Sequence, residues 1–219
     1  MNAMRSLAIL GGTFDPVHIG HLRAAWEASE ALDAEVRLVP AGVPPHRPQP
    51  VAKAAERVAM LRAALAGQAC LSLDLRELER AGPSYTFDTL ASLRAQIGAQ
   101  RPLILLAGAD ACAGLPTWHR WRELFDLAHL CVLTRPGHAL PLPGELAAET
   151  APRRVTAAAA LRESPAGRVY ELAVTPLEIS ATGIRAILAE GGEPRWLVPD
   201  ALLSDPALLK PYRHLAGDR

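Results

Sequence analysis

The run Leu7-Ala8-Ile9-Leu10 passes directly into Gly11-Gly12-Thr13-Phe14-Asp15-Pro16-Val17-His18-Ile19-Gly20-His21 and then into an amphipathic stretch from Leu22. A short apolar run, a glycine-rich turn and a helix start arrive in that order. This is the beginning of a strand–turn–helix unit in which backbone amides and the positive end of a helix dipole converge on one spot that suits phosphate. His18 and His21 are three residues apart, which puts both imidazoles on one face of the first helical turn if the helix begins near Val17. Gly20 between them keeps side-chain bulk out of the space into which a phosphate chain would descend. The plain alternative is a glycine turn with two helix-capping histidines. A zinc site is disfavoured, because the His-Glu helix signature with a third ligand is missing and no cysteine is near in sequence.

Working outward, apolar runs recur at Val36–Val39, Cys70–Leu73, Leu103–Ala107, Leu130–Thr134 and Val169–Val174. Helical patterns lie between most of them, at Leu22–Leu32, Lys53–Leu65, Thr86–Ile97, Trp121–Leu127 and Ala181–Glu190. Short buried strands alternating with helices predict an α/β fold, a Rossmann-like doubly wound parallel sheet with a small helical C-terminal portion. A single domain over 1–219 is expected, with a peripheral helical insertion at about 141–167 and a C-terminal helical part at about 180–219. Pro199-Asp200-Ala201-Leu202-Leu203 reads as a short helix start. The proline-rich stretch 40–50 follows the second strand, at the sheet edge where such folds bind ligands; it is either a surface connector or a basic flap over phosphates.

The chain of 219 residues carries 23 basic and 23 acidic side chains and no formal net charge. No global field therefore calls for nucleic acid or an anionic membrane, and anion binding has to be local. Cys70, Cys112 and Cys131 are odd in number and lack CxxC spacing, as expected for reduced, buried thiols. The apolar run after Met1–Arg5 is too short for a secretory leader, so a cytoplasmic protein is expected. No nucleophile elbow, Ser-His-Asp order or metal-ligand cluster is evident, which leaves no machinery for a hydrolase.

Ile179-Ser180-Ala181-Thr182-Gly183-Ile184-Arg185 offers hydroxyls, a helix N-terminus and an arginine one turn in, a second candidate anion site. Asp110 follows a buried strand, where a carboxylate can reach ribose hydroxyls or cap a helix. Of the neighbouring tryptophans, Trp118 is assigned to a ligand ring and Trp121 to the core.

Strand, GGTFDPVHIGH and helix together resemble the HxGH nucleotidyltransferase superfamily, and ISATGIR resembles its ISSTxxR segment, departing at Ala181. Gly42–Arg47, Arg76–Arg80, Pro83-Ser84-Tyr85-Thr86, Gly108-Ala109-Asp110, Pro116–Trp121 and Arg135-Pro136-Gly137 follow in the order found in bacterial nicotinate-nucleotide adenylyltransferases. The likeness runs from Leu7 to about Val198, interrupted mainly over 141–167. It implies adenylyl transfer from ATP to nicotinate mononucleotide, giving deamido-NAD and pyrophosphate in NAD biosynthesis. The attacking phosphate is already anionic, so alignment and charge stabilisation suffice and no covalent enzyme intermediate is needed.

Carried onto this chain, the resemblance makes His18, His21 and Arg185 the catalytic set. Gly11, Gly12, Thr13, Phe14, Gly20, Gly108, Asp110, Ser180 and Thr182 would bind ATP. His46, Arg47, Ser84, Tyr85, Thr86, Trp118 and Arg135 would bind nicotinate mononucleotide. Mg²⁺ would be carried by the ATP phosphates with no protein metal site. The expected partners are ATP and nicotinate mononucleotide, not nucleic acid or membrane; a homo-oligomer stays open. The alternatives are an HxGH adenylyltransferase acting on nicotinamide mononucleotide or phosphopantetheine, and a non-catalytic nucleotide sensor. An aminoacyl-tRNA synthetase shares a HIGH-like site but needs a longer chain, a KMSKS-like lysine loop and a basic surface.

Overall fold

The computed structural model describes residues 5–44, 48–135, 142 and 144–213. Six strands form one parallel sheet: β1 (Ser6–Gly12), β2 (Ala34–Pro40), β3 (Leu71–Leu73), β4 (Leu103–Gly108), β5 (His129–Thr134) and β6 (Val169–Ala173). Their order is β3-β2-β1-β4-β5-β6, with every neighbouring pair parallel. All six are at the positions the apolar runs predict, with ends shifted by at most two residues. The Rossmann-like doubly wound fold is therefore the fold of this chain.

Side-chain alternation explains why the sheet is covered on both faces. Ala8, Ile104, Leu106, Cys131 and Leu133 point into one apolar cluster, while Leu7, Ile9, Leu103, Leu105, Leu130 and Val132 point into the other. A strand buried on both faces reads as a continuous apolar run, which is how these strands read.

The larger helices are α1 (Ile19–Leu32), α2 (Ala54–Leu65), α4 (Thr86–Ile97) and α8 (Ala181–Ala189). Short ones are α3 (Arg76–Glu79), α5 (Ala109–Ala113), α6 (Leu124–Leu127), α7 (Gly144–Thr150), α9 (Asp200–Ser204) and α10 (Lys210–Arg213). Helix α1 sits close to the sheet because its buried face carries small residues, Ala25, Ala28 and Ser29. The Ser29 hydroxyl donates to the Ala34 carbonyl at 2.7 Å, which fixes the turn into β2. That turn is completed by Asp33 at φ 47°, a left-handed position that aspartate tolerates better than most residues.

Two details depart from the sequence reading. Helix α1 begins at Ile19, three residues before the Leu22 at which its pattern starts and two after Val17, with His18 as its N-cap in extended geometry. The pattern at Trp121–Leu127 divides into a 3₁₀ turn over Trp121–Glu123 followed by α6. Within 141–167, Leu146 and Leu161 are fully buried. Cys112 and Cys131 are buried free thiols, pushed up by burial to about 11 and about 12 respectively, whereas Cys70 is half-buried. Among the described residues no helix is long and apolar enough to cross a membrane.

The chain leaves β1 toward α1 and β2, and leaves β4 toward β5 on the other side. The crevice outside the carboxyl ends of β1 and β4 is the topological switch point, where ligands bind in open α/β sheets.

Candidate active site

A cavity of about 1210 Å³ opens at that switch point. Gly11, Gly12, Thr13 and Phe14 line it from the end of β1, Gly108 and Asp110 from the end of β4, and Thr182 and Arg185 from α8. Ser84, Tyr85, Thr86, Trp118 and Arg135 line it as well. Sequence segments more than 100 positions apart thus share one chamber.

The phosphate-type loop has a specific local cause. A side chain at Gly12 would meet the Phe14 ring at 2.9 Å, so glycine lets that ring fold back beneath the strand end. Phe14 is 2 % exposed, adopts φ 50° and meets the His21 ring edge-on with centroids 5.0 Å apart. A Cβ at Gly11 or Gly108 would meet nothing within 4 Å, so both leave open room on the cavity floor.

The two histidines are brought together but are not equivalent. Their rings stack with centroids 3.7 Å apart and planes at 24°. His21 lines the cavity, whereas His18 is 6 % exposed and lies off the cavity wall. Burial holds the His18 imidazole down at about 4, so it is neutral at neutral pH. Its Nδ1 is buried and without a hydrogen bond among the described residues. The His18 backbone N–H donates to His21 Nδ1 at 3.4 Å, which leaves Nε2 to carry the proton of a neutral His21. Gly20 is required by His18: a Cβ there would lie 3.1 Å from that ring, and Gly20 is not on the cavity wall. The expectation that this glycine directly clears the phosphate path is corrected accordingly.

Arg185 projects from α8 to the β1–α1 loop. Its Nη1 donates to the Asp15 carbonyl at 2.7 Å and its Nη2 to the Thr182 hydroxyl at 3.2 Å. Ser180 is the N-cap of α8 and its hydroxyl accepts from the Gly183 N–H at 3.1 Å, the ordinary capping role, off the cavity wall. Asp110 does not cap α5; Gly108 does, and Asp110 is exposed in the first turn.

At the other end of the chamber, α4 starts at Thr86 as the pattern predicts, with Tyr85 as N-cap. The Ser84 hydroxyl is committed to the chain, accepting from the N–H groups of Gly42 at 2.8 Å and Val43 at 3.3 Å. The Ser84 and Tyr85 N–H groups donate to the Val43 and Pro83 carbonyls, so the open amides of this helix begin at Thr86. Glu77 accepts from the Thr89 hydroxyl at 2.7 Å, and burial raises its carboxyl above the usual range. Trp118 is half-buried on the cavity wall, and Trp121 is buried in the core as expected. Arg135 is exposed and lies 3.8 Å from Glu178. His46 and Arg47 lie outside the described residues.

Three residues at or beside this site carry no role in the sequence reading. His119 stacks on Tyr85 with centroids 4.5 Å apart and lines the cavity. Asp15 is 5 % exposed and accepts from the Val51 and Ala52 N–H groups and the Tyr212 hydroxyl. Arg57 is 1 % exposed and ties the Thr13 carbonyl at 2.7 Å to the Ala41 carbonyl at 2.8 Å. Its signal was an arginine on the apolar face of α2, in register with Met60 and Leu61.

The cytidylyltransferase-like family model matches residues 9–187. A Pseudomonas putida (strain GB-1) protein named "Probable nicotinate-nucleotide adenylyltransferase" is 50% identical over 203 residues, covering 92% of each chain. A Marinobacter nauticus protein of the same name is 50% identical over 193 residues, covering 88% of this chain and 89% of the relative. Among solved structures, Plasmodium falciparum nicotinic acid mononucleotide adenylyltransferase complexed with NaAD superposes with a TM-score of 0.68 at 14% identity, covering 99% of both chains. That last likeness concerns the fold. With these matches across nearly its whole length, the chain belongs to the nicotinate-nucleotide adenylyltransferases of the cytidylyltransferase-like family.

Proposed function

We propose that this protein transfers the adenylyl group of ATP to nicotinate mononucleotide, forming deamido-NAD and pyrophosphate in NAD biosynthesis. The observation that carries the reading is one cavity lined both by the glycine loop, His21 and Arg185 and by Tyr85, Trp118 and His119. The first group suits a polyphosphate and the second a flat ring, so one chamber can take both substrates.

The 5′-phosphate oxygen of the mononucleotide bonds to the α-phosphorus of ATP while the α–β bridging bond breaks and pyrophosphate leaves with the electron pair. No protein nucleophile takes part. His21 Nε2–H and Arg185 serve as donors to oxygens on which charge grows, with the buried His18 ring stacked behind His21, and fixed donors of this kind cost no reorganisation during reaction. Gly11, Gly12, Thr13, Phe14, Gly108 and Asp110 line the ATP side, with Gly20 and Ser180 acting through local backbone packing. Thr86, Trp118 and Arg135 face the mononucleotide, and His46 and Arg47 are proposed to join them.

Among the described residues no three His, Cys, Asp or Glu side chains gather to hold a metal ion. Of the three carboxylates on the cavity wall, Asp15 and Glu77 are already engaged within the fold, and Asp110 is exposed. That donor set fits a cation carried on phosphate oxygens and water. Bound in that way, Mg²⁺ would supply charge neutralisation to the pyrophosphate.

The test is pyrophosphate release from purified protein with ATP and Mg²⁺, with and without nicotinate mononucleotide. Release that depends on the mononucleotide supports the reading. ATP binding without release would make the chain a nucleotide sensor.

A further inference from the structure

Three distant parts of the chain converge on the carboxylate of Asp15. Its Oδ2 accepts from the Val51 N–H at 2.7 Å, and its Oδ1 accepts from the Ala52 N–H at 3.0 Å and from the Tyr212 hydroxyl at 2.8 Å. Arg185 Nη1 lies 3.9 Å from Oδ2 and donates to the Asp15 carbonyl. Tyr212 is 0% exposed, on α10, which packs against α8, the helix that carries Arg185. Burial first, and then the Asp15 charge, push the phenol up, so it keeps its proton and donates. Arg57 holds the other side of the same loop through the Thr13 carbonyl.

A buried carboxylate normally needs its charge answered, and here two backbone amides, a phenol and a nearby guanidinium answer it. The phenol is also the point at which the end of the chain touches the loop that carries the histidines. We infer that Asp15 and Tyr212 are positioning residues for Arg185: the Tyr212–Asp15 bond fixes the loop against the α8–α10 pair and so holds the guanidinium at the cavity wall. Neither side chain is required to touch substrate. The inference rests on Arg185 serving the transferred phosphates, as proposed above.

A double-mutant cycle tests it, using the full chain and the pyrophosphate-release assay, with thermal melts to confirm folding. Tyr212→Phe keeps the ring and removes only the donor, and is expected to lower kcat roughly tenfold with KM for nicotinate mononucleotide little changed, since small misplacements of a charged donor are costly. In an Arg185→Ala background the same change should cost less than about twofold, because nothing remains for it to position. Asp15→Asn, tested in the same two backgrounds, should show the same non-additivity. Equal losses in both backgrounds, or wild-type kcat in Tyr212→Phe, overturn the inference. Wild-type kcat in Arg185→Ala alone would instead overturn the role of Arg185 on which it rests.

Discussion

The imidazoles of His18 and His21 lie face to face 3.7 Å apart, one almost sealed from solvent and the other on the cavity wall. The N-cap and third positions of a helix are neighbours in space, so HxGH spacing brings the rings together even with His18 just outside α1. Phe14 closes the stack edge-on beneath His21. Replacing His21 by Ala should therefore lower kcat by about 10²–10³ while changing KM for ATP much less, because a donor matched to developing charge acts mainly in the transition state. His18→Ala should also lower kcat. Steady-state kinetics giving near-normal turnover for both variants would remove the pair from the reaction.

The buried member of the pair also makes folding stability depend on pH. With its folded value near 4 and its unfolded value near the ordinary 6.5, His18 binds fewer protons folded than unfolded between those two limits. Stability is then complete above about pH 7 and is lost as pH falls through 6.5 toward 4. The loss attributable to His18 between pH 7 and pH 5 is about 2 kcal/mol. His129, also lowered by burial, adds in the same direction. Urea unfolding of wild type and His18→Asn at the two pH values measures it: the variant should lose less by that difference. Equal pH dependence would mean that the His18 ring is hydrated.

Arg185→Lys should be damaging although the charge is kept. The guanidinium uses two nitrogens at once, one on the Asp15 carbonyl and one on the Thr182 hydroxyl, while keeping its face on the cavity. An ammonium has no planar fork with which to reproduce that orientation and still meet phosphate oxygens. A loss of at least about tenfold in kcat is expected. Full activity in the lysine variant would show that a point charge is enough.

The fold was legible because strands buried on both faces leave unbroken apolar runs, and the helices between them carry their own period. Thr86–Ile97 was exact because its boundaries are written locally, in Pro83-Ser84-Tyr85 and Gly98. Much of the site was legible for the same reason: Gly11 to His21 are contiguous. The Asp15 cluster was not, since Tyr212 is 197 residues away in sequence and no local pattern pairs it with an aspartate. His119 escaped for a different reason. It stands beside Trp118 in the motif, but its stacking on Tyr85 depends on how α4 and the turn after α5 pack. Ser84 was assigned to ligand by the resemblance; here the hydroxyl holds the Gly42–Val43 backbone, where a side chain on Gly42 would meet the Glu77 carbonyl at 2.6 Å.

The choice between acid and amide substrates should be made at the start of α4. Two of the amides that could have greeted a carboxylate, those of Ser84 and Tyr85, are bonded to carbonyls, so the donors left to the cavity begin with Thr86. The first N–H groups of a twelve-residue helix have no intrahelical acceptor, and the dipole there favours an anion. A nicotinate carboxylate accepts from them with either oxygen, whereas the NH₂ of a carboxamide would present a donor to donors. One such buried mismatch costs about 1–3 kcal/mol, enough for roughly a ten- to hundredfold preference. Trp118 lines the same cavity and is proposed to meet the ring and not its substituent, so it should support binding without discriminating. The measurement is the ratio of kcat/KM for nicotinate and nicotinamide mononucleotides in wild type and in Trp118→Ala. Wild type should favour the acid by at least that factor, and the variant should lose activity toward both while keeping the ratio. A ratio near one in wild type would withdraw α4 as the selecting element, and a ratio that collapses only in the variant would transfer selection to Trp118.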